Sequence, residues 1–562
     1  MVRRKNIKKQ SIIQLVASLA VIFLVNYIGS FEFERFDLTS EKRYTLSKET
    51  KNLVKNLDDV VYIRIFLEGD FPAEFKRLQN ATKEMLDEFR VYSTDNIEYE
   101  FINPSSNPDD RARNAVYQEL IKEGLQPTSL QKKEEGGTSQ QIIFPGAIFT
   151  YKERDIPLQL LKSQMGVAPE IMLNNSIQSL EYELANAIRK ITAPYKPKIG
   201  FIEGHGELNQ LEVQDISQSL SEYYLVERKK INGKLESLVG YKAIIIAQPK
   251  EKFTEKDKFV IDQFIMNGGK TIWFLDAVSA SMDSLSNSGV TMGIPNDINL
   301  DDQLFRYGCR VNYTLIQDIQ SGLIPINTAL VGNQPKWEYF PWIFFPLLIP
   351  SSEHPIVKNL NAIKGEFVNS IDTVAAPMIK KQYLLASSKY TRVLNAPVKI
   401  NLQSIRNLPG EEQFNRSYVP MAVLLQGKFR SVFTNRIPLL ISEDKEIAFK
   451  DTSKYTEMII IADGNIIRND LSSGKAYPLG IDKYTGQEFG NKDFVMNCVD
   501  YLCDDSNLIS VRSRELKIRL LDKTKISSNR LLLQAGNMCV PIAIILLVGF
   551  IRGIVRKSRY KV

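Results

Sequence analysis

The chain has 562 residues, 72 basic and 65 acidic, with only two histidines and four cysteines. Ten of the cations lie in the first nine and last eleven residues, which leaves residues 31–530 with 62 basic against 65 acidic side chains, a net charge of −3. That balance gives the bulk of the chain no reason to bind nucleic acid, two histidines leave little for a His-based triad or a multi-histidine metal centre, and four cysteines supply no disulfide framework.

Ser11 to Ser30 is uncharged and about as long as the ~20 residues a helix needs to cross a bilayer. Arg3, Arg4, Lys5, Lys8 and Lys9 precede it without an acid. No small-x-small cleavage site follows, and Phe31, Phe33 and Phe36 suit the membrane interface of a retained anchor. A second uncharged run, Leu531 to Ile551, is followed by Arg552, Arg556, Lys557, Arg559 and Lys561. Short basic flanks mark the cytoplasmic side. The expectation is therefore a cytoplasmic tail (1–10), a first span (11–30), a bulk region outside the membrane, a second span (531–551) and a second cytoplasmic tail (552–562).

Within 31–192 the pattern predicts a first α/β domain. Val60 to Leu67 alternates as a strand, Asp70 can cap a helix with Pro72 in its first turn, and Ile97 to Ile102 reads as the next strand. This βαβ start is thioredoxin-like, but no Cys-x-x-Cys accompanies it, so redox chemistry is excluded. Lys132 to Gln140 reads as a polar loop, Ser176 as the start of a helix, and Ala193 to Pro197 as a linker.

From 198 to 335 alternating strands and helices predict a buried parallel sheet: strands Ile199 to Ile202 and Ala243 to Ala247, a helix from Thr254 to Asn267, and a strand from Thr271 to Leu275. Ligands in such sheets bind beyond the carboxyl ends of the strands. Glu203, His205 and Glu207, in the turn Glu203-Gly204-His205-Gly206-Glu207, and Asp276 fall at that edge and are the candidate ligand-binding residues. The competing reading has the glycines making a tight turn and the polar groups capping the next helix. Gly269-Lys270-Thr271 is not a phosphate-binding loop, because Phe264 stands where a glycine is required and the segment precedes a strand. Neither a metal site, a cofactor nor a catalytic residue is expected.

Residues 336–510 should complete or adjoin the central domain. Trp337, Trp342 and Phe345 lie in an aromatic, proline-broken segment whose prolines exclude a long helix or central strand. They are either a partner-docking surface or rings filling a gap between domains. Tyr383 to Ala386, Val419 to Leu425, Lys428 to Phe433 and Met458 to Ile461 read as strands, and Asn491 to Leu502 as a helix. A basic juxtamembrane segment (511–530), facing solvent or lipid headgroups, leads into the second span.

Arg43-Tyr44-Thr45-Leu46-Ser47, Phe71-Pro72-Ala73-Glu74-Phe75-Lys76, Gly204-His205-Gly206-Glu207, His354-Pro355, Ala462-Asp463-Gly464 and Asn491 to Leu502, in this order between two anchors, resemble the GldG family. These are auxiliary, nominally substrate-binding subunits of the gliding-motility ABC transporter of Bacteroidetes-type bacteria. The resemblance implies an inner-membrane protein with a periplasmic bulk, in contact with membrane lipid. Its implied partners are a multi-spanning GldF-like permease and a cytoplasmic GldA-like ATPase, with two copies per complex as one arrangement. The fold class expected is α/β, with two terminal transmembrane helices flanking a multi-domain periplasmic region that contains a central flavodoxin/amidotransferase-like parallel sheet. The alternatives are a membrane-tethered enzyme acting on envelope glycans or peptides, and a static scaffold.

Overall fold

The computed structural model describes residues 2–29, 45–134, 137–162, 169–331, 334–350, 353–406, 408–436, 449–472, 474–504, 506, 508–513 and 530–559. Phe31, Phe33, Phe36, Arg43, Tyr44 and most of 511–530 lie outside these residues. The chain forms two units, Met1–Arg514 and Glu515–Val562. In the second, the helix Arg530–Arg559 contains Gln534–Val555, 22 residues long and apolar enough to cross a membrane. In the first, Val2–Gly29 is helical over 28 residues, but its apolar part is only Ile12–Leu24. Among the described residues, one of the two expected spans therefore meets the length and composition of a bilayer crossing. The N-terminal run is cut short by Asn26 on one side and by the cations up to Lys9 on the other.

The N-terminal domain is a four-stranded sheet. Strands β1 (Val61–Ile65) and β2 (Ile97–Phe101) are parallel and joined by helix α1 (Ala73–Tyr92), the βαβ unit the alternation predicts. Pro72 occupies the cap of α1 and no side chain caps it, so the capping role expected of Asp70 is not taken up. Strands β3 (Gly146–Tyr151) and β4 (Arg154–Gln159) extend the sheet in the order β2-β1-β3-β4. Lys132 to Gln140 is not a plain loop. It spans the facing ends of an antiparallel hairpin, Thr128–Glu134 with Gly137–Ile143, whose polar sequence hides the strand signal. Helix α2 (Pro169–Thr192) starts seven residues before Ser176 and buries Leu173, Leu180, Leu184, Ile188 and Ile191 against this sheet.

The central sheet draws on both halves of the chain. Strand β5 (Lys198–Glu203) leads through helix α3 (Gln214–Ser221) to β6 (Leu225–Lys230). Strand β7 (Ala243–Ala247), helix α4 (Glu255–Met266, capped by the Thr254 side chain) and β8 (Lys270–Phe274) follow. Later come β9 (Ser321–Val331), β10 (Gln334–Pro350), β11 (Ile379–Ala386), β12 (Pro420–Gly427), β13 (Thr456–Ile461) and helix α5 (Asn491–Cys503). The order is β9-β10-β11-β12-β13-β8-β7-β5-β6, and Ile363–Lys364 adds a tenth strand on β10. Strands β6, β5, β7, β8 and β13 are mutually parallel. Numbered along the chain they run 2-1-3-4-5, the flavodoxin-like order. The remaining ladders are antiparallel. Residues 336–510 thus complete the central sheet: Thr271 to Phe274 pair in register with Met458 to Ile461.

Both faces of the parallel strands are apolar because both are covered. Ala243, Ile245 and Ala247 of β7 pack with Phe201, Leu220 and Phe494, whereas Ile244 and Ile246 pack with Ile261, Met266 and Trp273. Two sequence expectations fail in this half. The proline-broken aromatic segment is a strand, β10, which bulges against β9 and changes partner at Leu347 and Ile349, so no single ladder runs its whole length. Lys428 to Phe433 is not a strand beyond a bridge from Arg430 to Thr452. The chain turns at Gly427 with φ +149°, where an added Cβ would stand 2.2 Å from the Met378 carbonyl oxygen, and the ladder ends there.

The N-terminal domain is fastened to the central one by a buried ionic cluster. Lys190 Nζ of α2 lies 2.8 Å from Asp500 Oδ2 of α5, and the Tyr224 hydroxyl donates to Asp500 Oδ1 at 2.6 Å. Burial works against the Asp500 charge, but Lys190 and Arg189 outweigh it and hold its pKa below the ordinary value.

Candidate functional site

Four parallel strands deliver polar groups to one edge. Glu203 ends β5 and His205 stands beyond it, with Gln248 beyond β7, Asp276 beyond β8 and Asp463 beyond β13. The structure sorts them into two separate arrangements.

The first is a closed latch. The His205 carbonyl accepts the backbone N–H groups of Lys250 and Glu251, each at 2.8 Å, which ties the turn after β5 to the loop after β7. The imidazole is buried and stacked on Phe253 with ring centroids 3.7 Å apart. Its Nδ1 is 3.2 Å from Glu207 Oε1 and its Nε2 is 3.2 Å from Asp257 Oδ2. Asp257 is held in turn by the Thr254 hydroxyl and the Gly233 N–H. Burial opposes a charge on the ring, but the hydrogen bonds and charges of Glu207 and Asp257 outweigh it and raise the pKa above 6.5. Glu203 is bonded to Arg228 Nε on β6. Both ring nitrogens and both neighbouring carboxylates are engaged within the turn and with Asp257 and Arg228, and none of the three caps the next helix, α3, whose N-cap Val213 has no side-chain bond; Glu203, His205 and Glu207 do not line the cleft that holds Asp276.

The second is an open cleft of about 450 Å³. Of the four candidates, only Asp276 lines it, with Gln248, Lys250, Asn465, Arg468 and Asn469. Asp276 Oδ1 accepts the Gly464 N–H at 2.6 Å, and Oδ2 accepts from Gln248 Nε2 at 2.7 Å. Gly464 is required here, because a Cβ would stand 2.4 Å from Gln248 Cγ. Gln248 itself has φ +55°, a conformation that costs a non-glycine residue about 1–2 kcal/mol. Asp463, fully buried behind Asp276, accepts the N–H groups of Asn465 (2.7 Å) and Glu366 (2.9 Å). Burial raises the Asp276 carboxyl above the ordinary carboxylate range. Burial and then the Asp276 charge push Asp463 well above it, so the two do not ionise together at low cost.

Gln248, Asp463 and Asn469 were not among the sequence candidates. Ala462-Asp463-Gly464 follows directly on the expected strand Met458 to Ile461, but nothing in the sequence says that this strand docks beside β8, 187 residues upstream. The aromatic trio divides. Trp342 and Phe345 are buried among Ile324, Phe344, Phe367 and Ile400, in a core cluster drawn from residues 278–414, and buried rings offer a partner no surface. Trp337 is 57% exposed, beside Tyr339, whose hydroxyl donates to the Tyr484 carbonyl at 2.8 Å.

The polar cleft stands at the carboxyl edge of an α/β sheet, in a chain that also carries a helix of bilayer length and apolar composition, an architecture shared by many chemistries. Residues 196–498, which contain the whole ten-stranded sheet, match the ABC_transp_aux family, described as an ABC-type uncharacterized transport system; the chain belongs to this family of transporter auxiliary proteins. Residues 40–150 match a domain of unknown function, DUF7088. Over 558 residues the chain is 23% identical to an uncharacterized protein of Borreliella burgdorferi, covering 97% of this chain and 98% of the relative. Among solved structures it is similar to the mmIFT52 N-terminal domain, at 15% identity and a TM-score of 0.32, over 54% of this chain and 96% of that one.

Proposed function

We propose that this chain is a non-enzymatic inner-membrane auxiliary subunit of an ABC transporter. In this reading its α/β region stands in the periplasm, both termini are cytoplasmic, and a ligand or partner held at the cleft is coupled to a permease and an ATPase. Within that class we assign it the place that the GldG-type subunit takes beside GldF- and GldA-like partners of the gliding-motility transporter. The observation that carries the reading is the family match across the entire central sheet, joined in one chain to the apolar helix Gln534–Val555.

The chemistry at hand favours binding over turnover. His205 is locked between two carboxylates, and burial, aided by Lys380, lowers the pKa of His354 to about 4, which leaves it neutral and internal. Cys309 and Cys503 are buried thiols whose pKa burial pushes up to about 12, far from a reactive thiolate. Among the described residues, none of these groups forms a nucleophile–base pair. Isolation of the tagged chain in mild detergent should recover a permease and an ATPase with it. Recovery of the chain alone under several gentle conditions would contradict the assignment.

A further inference from the structure

One face of the β9–β10 ladder carries no charge, although much of it is open to solvent. Leu323, Pro325 and Asn327 stand opposite Pro341, Tyr339 and Trp337 in an unshifted antiparallel register, and residues opposed in this way share a face. Ile324, Ile326, Glu338 and Phe340 alternate to the other face, where Ile324 is buried in the core cluster around Trp342 and Ile326 packs against it. On the open face Trp337 and Tyr339 are 57% and 49% exposed, and Asn327 and Pro341 are exposed with them. The Tyr339 hydroxyl donates to the Tyr484 carbonyl at 2.8 Å, which fixes its ring on the surface beside Tyr484, itself 45% exposed. Lys336 and Glu338, at the alternate positions of β10, pair with each other at 2.7 Å. An antiparallel sheet ordinarily turns polar side chains to water, and an open face of rings and prolines marks a surface that meets something else.

Size and tethering decide the occupant. Six residues fall far short of the roughly 20–30 a side in a stable protein–protein interface, so a second copy or a protein partner finds too little here to hold by itself. A bilayer needs less. The chain carries the apolar helix Gln534–Val555, and a surface tethered to a membrane meets lipid at high effective concentration, where a contact too weak to hold a free protein suffices. Tryptophan and tyrosine are also the side chains that settle at the headgroup level, with the ring toward the acyl chains and the polar atom toward water. We propose that the open face of 323–327 and 337–341 is a peripheral membrane contact, with the Trp337 and Tyr339 rings seated in the interface of the bilayer that holds Gln534–Val555. This contact rests on the membrane anchoring in the function proposed above and is independent of any ligand at the cleft.

Tryptophan fluorescence reads this contact directly, because Trp337 is the exposed one of three tryptophans and Trp273 and Trp342 are 0% exposed. The full chain is reconstituted into phosphatidylcholine–phosphatidylglycerol vesicles, either plain or carrying bromine on the acyl chains, near the headgroup or near the chain end. In brominated vesicles the wild-type chain should lose the emission that Trp337 contributes, more with shallow bromines than with deep ones, and Trp337→Phe should lose none. Tyr339→Asp should reduce the Trp337 quenching at least about twofold, since a carboxylate on this face resists leaving water. Equal emission of the wild-type chain in brominated and plain vesicles overturns the inference, as does quenching that Trp337→Phe retains or that is stronger with deep bromines. Shielding of Trp337 from aqueous acrylamide that appears only when a permease or more of this chain is added, without quenching by bromine, assigns the face to a protein and overturns it as well. Should Tyr339→Asp fail to fold, the comparison of wild type with Trp337→Phe still decides. Flotation separates this contact from the anchoring on which it rests: vesicles that float without the chain discard both, whereas a chain that floats unquenched discards the contact and leaves the anchor standing.

Discussion

His205 is one of two histidines in the chain, and its surroundings predict a pH signature. Its folded-state pKa is raised above the unfolded value near 6.5. The stabilisation it contributes is therefore complete below about pH 6.5 and is lost as pH rises through the higher folded value. His354 has the opposite sign. With a folded pKa of about 4, it costs stability as pH falls from about 6.5 toward 4. Replacing His205 with Gln should destabilise the chain by about 1–3 kcal/mol, because Gln cannot bridge Glu207 and Asp257 with two ring nitrogens and leaves at least one of these hydrogen bonds unmade. Denaturant unfolding between pH 5 and 9 should show the alkaline loss flattened and the acid loss kept; an unaltered alkaline limb would show that the latch does not hold a charged imidazole. Gly464→Ala is a second residue-level test. The new Cβ, 2.4 Å from Gln248 Cγ, forces that side chain away from Asp276, with an expected cost of about 1–3 kcal/mol from overpacking, read as a shift of the denaturation midpoint.

At the scale of elements, β10 separates rings that support the core from rings that do not. Trp342→Ala should cost about 3–5 kcal/mol, whereas Trp337→Ala should change stability by less than about 0.5 kcal/mol. Equal unfolding midpoints for the two variants would contradict the burial that distinguishes them. The joint between domains is open to a similar test. Asp500→Ala strands the buried Lys190 charge and should cost about 3–5 kcal/mol. Limited proteolysis should then speed up within 193–197, the segment linking α2 to β5. Much of this architecture was legible in the sequence. The unbroken apolar run Ala243 to Ala247, the Thr254 cap and the strand–helix alternation after Lys198 gave the parallel sheet, because local propensity and burial agree there. The long strand β10 was hidden because prolines normally exclude a central strand, and here bulges and a change of ladder partner accommodate them. The hairpin at 128–143 was hidden by polar residues without alternation. The candidate site was half legible. Edge position selected His205 and Asp276 alike, but only long-range partners, Asp257 for the one and Asp463 with Gln248 for the other, decide which is sealed and which faces a cleft.

At the scale of the whole molecule, the chain is an ABC transporter auxiliary family member that carries the apolar helix Gln534–Val555. The proposed orientation predicts that a cysteine introduced at the exposed Ser106, in a Cys539→Ser background, reacts with a membrane-impermeant thiol reagent once the outer membrane is permeabilised. Cys309, Cys498 and Cys503 are buried and should stay silent. Labelling only after the inner membrane is broken would reverse the topology. Coupling is the central claim, and ATP hydrolysis by the purified permease and ATPase in nanodiscs, measured with and without this chain, tests it most directly. The account predicts a several-fold difference in rate that disappears when the chain added lacks residues 196–498. Identical rates with and without the chain, in assemblies shown to contain it, would contradict it.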